Sequence, residues 1–161
     1  MDDAPLTTLI VGFLAEIALS VRWDVVEGPT FLPGIAVDLG TLVVDQARLQ
    51  YPGDLLHEAG HLAVMPARER IRVVRDAGGD PAGEMMAIAW SYAAACHLGL
   101  DPAVVFHEGG YRGGSQSLIE NFSAGRYIGV PVLQWLGLTA DDQRAAELGI
   151  EPYPTMRRWL L

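Results

Sequence analysis

Between Met85 and Leu100 the sequence carries no charged side chain. A strong break, Gly78-Gly79-Asp80-Pro81, precedes that stretch, with Asp80 as N-cap and Pro81 at the first helical position, and Gly99 closes it. The signals predict a helix over about 81–98. Met85, Met86, Ala87, Ile88, Ala89 and Trp90 are apolar in succession, so this helix is expected to be buried nearly all round, with the rest of the chain packed about it. It is too short to span a bilayer, which takes about 20 apolar residues. Its first turn holds Glu84. An acid there complements the helix dipole. A lone carboxylate entering an apolar core is nevertheless costly unless it is paired or bound to a metal.

A second stretch carries chemistry. Residues 57–61 read His57-Glu58-Ala59-Gly60-His61, an H-E-x-x-H pattern. On a helix, positions i and i+4 share a face one turn apart, so two imidazoles can converge on one cation. Zn²⁺ suits such ligands and needs one more protein donor to leave an open, catalytic position. Glu58 stands beside that face, where it can act as general base on a water and later as acid toward a leaving amine. A helix is predicted from an Asp54 N-cap to a stop before Pro66. Gly60 weakens a helix relative to alanine, so close packing of another backbone or of a metal-site strand is expected there. Glu84 is the best third ligand, with Asp80, His97, His107 and Glu108 as rivals. The metzincin continuation fails, because positions 64 and 67 are Val64 and Ala67. On the glycine-rich run 109–114, His107 or Tyr111 could donate to an oxyanion, or serve only to order the loop.

The remaining pattern is mostly helical. Leu6, Leu9, Ile10, Phe13, Ile17 and Val21 recur at helical spacing and predict a helix over 5–22. Residues 35–37 and 41–45 flank Asp38-Leu39-Gly40 as a tight hairpin. Arg68–Asp76 fits a strand or a helix. Asp101-Pro102 starts a short helix to about 107. Ser117 with Glu120, and Thr139 with Asp142, fit capping boxes for helices ending at 124 and 148. No linker divides the chain, so its 161 residues are read as one domain, with 5–100 bearing the motifs and 101–161 a C-terminal helical part. The tail 153–161 either caps the core or docks on a partner or second copy.

Composition removes several function classes. Net charge is -9, from 20 acids against 11 bases, and all the bases are arginine. So acidic a chain is not built for the phosphate backbone of nucleic acid. With no lysine a P-loop is excluded. The single cysteine, Cys96, allows no intramolecular disulfide and reads as a small core residue. Met1-Asp2-Asp3 lacks the positive start of a secretory signal, and a cytoplasmic protein free of membrane is expected.

On these residues the chain resembles the zincins, and among them the compact gluzincin-like group that includes the ImmA/IrrE-type peptidase domains and minigluzincins. The likeness rests on four stretches. They are the hairpin 35–45 with Tyr51-Pro52-Gly53-Asp54-Leu55-Leu56, the run from His57 to Ala63, Pro66, and Glu84 to Trp90 with a small residue three places on and an aromatic six places on. The resemblance implies a zincin-like α+β fold, mainly helical, with a small twisted antiparallel or mixed sheet and an active-site helix. It implies Zn²⁺ on His57, His61 and Glu84, Glu58 as catalytic glutamate, and a peptide or protein substrate along an edge strand, for which Thr41–Asp45 is the first choice. Where many gluzincins place an Asp four residues after the metal Glu, this chain has Ile88, so support for the imidazoles is expected elsewhere, with Ser91 a candidate. The expected activity is zinc-dependent peptide hydrolysis. The alternative is a metal-binding scaffold acting as a regulatory or protein-interaction module.

Overall fold

The computed structural model describes residues 3–161, and the Met1-Asp2 start lies outside the described residues. The elements in chain order are α1 (Ala4–Glu16), β1 (Val21–Trp23), β2 (Ile35–Asp38), β3 (Thr41–Val44), α2 (Asp54–Ala63), α3 (Ala67–Arg70), β4 (Val74–Arg75), α4 (Pro81–His97), α5 (Ser115–Ser123), α6 (Val130–Trp135) and α7 (Asp142–Leu148). Short 3₁₀ turns occupy Pro102–Val104 and Tyr111–Gly113. The fold is α+β with a small mixed sheet of order β1-β3-β2-β4.

Helix α4 forms the centre. Asp80 accepts a hydrogen bond from the Gly83 amide at 2.7 Å, and Gly99 follows the helix at φ +67°. Ala87 to Ala95 are buried without interruption, Trp90 completely. The burial stops sooner than the uncharged run suggests. Cys96 is exposed, not a core residue. His97 is also exposed and lies against the Phe13 and Trp159 rings.

Helix α2 crosses α4 at Gly60. A Cβ on Gly60 would lie 3.0 Å from the Ala87 carbonyl oxygen and 3.1 Å from its Cα. The absent side chain is what lets the two backbones touch. Leu55, Leu56 and Leu62 fill the remaining faces of α2, each fully buried. Each contributes roughly 1.5–3 kcal/mol by burial.

The hairpin forms as expected, with Asp38 opposite Thr41. Leu39 and Gly40 have φ of 48° and 80°, the positive pair that a two-residue type I′ turn demands. The edge assignment does not hold. Thr41–Val44 is interior, paired in parallel to β1 and antiparallel to β2, and the edges are β1 and β4. Strand β1 takes residues assigned to the first helix. That helix ends at Glu16, because Ala18 turns the chain at φ +65° and the 21–23 segment gains a sheet partner. Arg68–Asp76 contains both candidate structures, α3 and then β4.

Capping also differs. Asp54 is the first helical residue of α2, not its cap, and faces inward. Ser117 lies within α5. Thr139 donates to the Thr155 carbonyl, while Asp141 caps α7 through the Arg144 amide at 2.8 Å. Helix α6, which starts directly after Gly129 with Val130-Pro131 in its first turn, was not expected. A Cβ at Gly129 would fall 2.2 Å from the Met85 carbonyl oxygen, so that glycine seats α6 on α4. The tail covers the core. Trp90 Nε1 donates to the Trp159 carbonyl at 2.9 Å, and the Leu161 amide donates to Ala63 at the end of α2. Among the described residues no helix is long and apolar enough to cross a membrane.

Candidate metal centre

The crossing at Gly60 and Ala87 sets the site. Glu84 precedes Ala87 by three positions and so shares its face. That face delivers the Glu84 carboxylate to the imidazoles projecting from α2. His57 Nε2 and His61 Nε2 lie 3.2 Å apart. Glu84 Oε1 is 3.4 Å from the former, and Oε2 is 3.0 Å from the latter.

These spacings can be tested against a cation. In a tetrahedral site with bonds of about 2.0–2.1 Å, ligand atoms stand about 3.3–3.4 Å apart. The imidazole pair at 3.2 Å and the two glutamate contacts at 3.0 and 3.4 Å, each to a different carboxylate oxygen, are close to that spacing, and with one donor atom from each residue the three all lie within 4.8 Å of one another. The two imidazole side chains are 9% and 4% exposed and Glu84 is 45% exposed, so the cluster is rooted in the core and opens on the glutamate side. Hydrogen bonds to His57 and His61 hold the Glu84 carboxyl well below the usual carboxylate range, keeping it anionic. His57, His61 and Glu84 form a group that could hold a metal ion. The rival third ligands lie elsewhere. Asp80 caps α4, His97 sits on Phe13 and Trp159, His107 is paired with Asp54, and Glu108 is exposed.

Glu58 is buried beside the cluster. Its Oε1 accepts the Ala77 amide at 2.6 Å, and its Oε2 has no hydrogen bond among the described residues. Burial raises the Glu58 carboxyl above its ordinary value, although that amide and the two imidazoles pull the other way. A raised carboxylate is the better proton acceptor near neutral pH. The segment after β4 thus passes directly over the site, with the Gly78 Cβ position 3.9 Å from His61 Nε2.

The glycine-rich loop meets the cluster from behind. Tyr111 Oη lies 3.1 Å from His57 Nδ1, the nitrogen on the side of the ring away from the donor triangle. A hydroxyl held there does not face the centre, so the structure gives Tyr111 a partner other than an oxyanion. Burial raises the phenol far above its ordinary value, which keeps it protonated. His107 Nε2 contacts Asp54 Oδ1 at 2.7 Å, and its ring stacks on Tyr51 with centroids 3.8 Å apart. His107 Nδ1 is buried without a hydrogen-bond partner, an arrangement suited to Nε2 donating while Nδ1 keeps its lone pair. Burial raises the Asp54 carboxyl, with His107 opposing. His107 thus has Asp54 and Tyr51 as its side-chain partners. Ser91 gives its hydroxyl to the Ile88 carbonyl and supports neither imidazole.

Sequence reasoning missed Asp54 as a partner, Tyr51 as a stacking platform and the Ala77 amide as the anchor of Glu58. A buried-side aspartate one turn before His57 was the available signal for the first. The other two depend on long-range packing and left none. Comparison with protein-family models, with curated proteins and with solved structures finds no match to this chain.

Proposed function

We propose that the chain is a zinc-dependent metallopeptidase of zincin type, with His57, His61 and Glu84 as ligands and Glu58 as general base. The observation that carries the reading is the convergence of two imidazoles and a carboxylate, each residue 3.0–3.4 Å from the other two, with a raised, buried carboxyl next to them. Two imidazoles and a carboxylate are a donor set that zinc favours in catalytic sites with an open position. Zinc bound there supplies a Lewis acid and makes a water acidic enough to be used near neutral pH.

The protein's own groups do the rest. The Ala77 amide fixes Glu58 through Oε1 and leaves Oε2 to take a proton from the attacking water. The same oxygen then returns the proton to the departing amine, which cannot leave as an anion. Glu84 lies on the solvent side of the triangle, so substrate approaches from there. Strand β4 is a sheet edge that runs into Asp76, Ala77 and Gly78 at the site. A peptide laid antiparallel or parallel to that edge would bring a carbonyl to the centre through main-chain hydrogen bonds.

The test has two stages. Metal analysis of the purified protein should find one zinc per chain, lost in His57→Ala and in His61→Ala. Glu58→Gln should then keep the zinc and abolish cleavage of a peptide library. Zinc binding with no library member cut by the wild type would replace the peptidase with a metal-binding module, and absence of stoichiometric zinc would remove both.

A further inference from the structure

We infer that Tyr111 is a positioning residue of the metal centre: its hydroxyl holds the His57 ring by Nδ1 so that Nε2 meets the cation, and the Asp54–His107 pair clamps the loop that presents it. The inference rests on the metal-site reading above.

When an imidazole binds a cation through Nε2, its Nδ1 keeps the proton and needs an acceptor, and that partner orients the ring. Tyr111 Oη occupies that place at 3.1 Å, with the two rings edge to face at 88°. Helix α4 offers no substitute, since position 88 is apolar and the Ser91 hydroxyl is bonded to its own helix.

The loop is held in a conformation it would not adopt unaided. Tyr111 and Arg112 have φ of 54° and 52°, two successive left-handed residues that are not glycine. Such backbone persists only where the surroundings over-determine it, and it clusters at functional sites. Three contacts fix the loop. His107 Nε2 meets Asp54 at 2.7 Å, Ser115 Oγ donates to the His107 carbonyl at 2.6 Å, and the Tyr111 ring packs on Phe106 with centroids 5.4 Å apart. Asp54 belongs to α2, three positions before His57, so the clamp is anchored on the very helix whose ligand it orients. Tyr51 closes the other side of the His107 ring. A loop that merely joined two turns would need neither the strained pair nor a buried carboxylate beneath it.

Zinc affinity of the full chain, measured by competition with a chromogenic chelator, decides the matter. Tyr111→Phe removes one oxygen and keeps the ring packing. It should weaken zinc binding about 10–100-fold, the usual loss for an outer partner of a ligating histidine. The visible bands of the Co²⁺-loaded protein should shift with it. Asp54→Asn should weaken binding by a smaller factor. The double variant should bind no worse than Tyr111→Phe alone, because Asp54 acts through Tyr111. A folded Tyr111→Phe protein with affinity within twofold of wild type and unchanged Co²⁺ bands overturns the inference and leaves the metal site standing. Full additivity in the double variant overturns the clamp, and so does wild-type affinity in folded Asp54→Asn, which decides the point should Tyr111→Phe not fold. A wild type that binds no stoichiometric zinc overturns this inference and the reading beneath it together.

Discussion

Gly60→Ala isolates the contact on which the site's geometry depends. In an ordinary helix the change stabilises by about 1 kcal/mol. Here the new Cβ would stand 3.0 Å from the Ala87 oxygen, 3.1 Å from its Cα and 3.3 Å from the Trp90 ring, where ordinary contact begins near 3.4 Å. Helices α2 and α4 must part by roughly 0.3–0.4 Å, and overpacking of that kind costs about 1–3 kcal/mol. The net is a destabilisation of about 0–2 kcal/mol, read by urea unfolding of the metal-free protein. Gly12→Ala supplies the control. That glycine lies in α1, and its Cβ would meet nothing within 4 Å, so the change should stabilise by the full propensity term, about 1 kcal/mol. Separation of α2 from α4 also carries Glu84 away from both imidazoles. A shift of roughly 0.4 Å is about twice the tolerance of a metal–ligand distance, so zinc affinity should fall by about tenfold or more in Gly60→Ala and stay unchanged in Gly12→Ala. If both variants prove equally stable and bind zinc as the wild type does, the argument from close backbone approach is wrong.

Glu84→Ala should weaken zinc binding by more than the roughly 10–100-fold expected for an outer partner, measured by the same chelator competition. Glu58→Gln should make the metal-free protein more stable at neutral pH. The Glu58 carboxyl is raised in the folded state, so its contribution is complete below the ordinary value of 4.5 and is lost as pH rises through the folded value. The stability gap between variant and wild type should therefore widen from pH 4.5 to 7 in thermal melts, and a gap that narrows over that range would contradict the burial argument. Trp159→Ala should cost about 2–3 kcal/mol in urea unfolding, less than a fully buried aromatic, through lost packing on Phe13 and Trp90. Tyr153→Phe removes a buried bond to the Ala89 carbonyl at 2.7 Å and should cost about 1 kcal/mol by the same measurement.

Local signals explain which parts of the fold were readable. The Asp80-Pro81 start of α4, the Leu39-Gly40 turn and the glycine demanded at position 60 are each decided by a few neighbouring atoms, and each appears where the sequence places it. Residues 21 and 22 were misread as helix because their fate turns on pairing with residues 42 and 43, a contact invisible to periodicity. The interior position of β3 was hidden for the same reason. At the site, the i, i+4 imidazoles follow from one helix alone, and Glu84 was singled out by the apolar run behind it, although its side chain is 45% exposed. The partner of His57 could not be read this way. The expectation looked along α4 for it, at Ser91, whereas the structure brings it from a loop 54 residues downstream.

The amide that steadies Glu58 and the carboxylate of Glu84 belong to one short run of chain, from Ala77 just after the sheet edge to Glu84 in the first turn of α4. In the proposed enzyme, proton transfer and cation grip would thereby be yoked. Any ligand, insertion or crowding molecule that tugs this bridge would detune both properties at once, so a single mechanical handle would silence the proposed centre without touching either histidine.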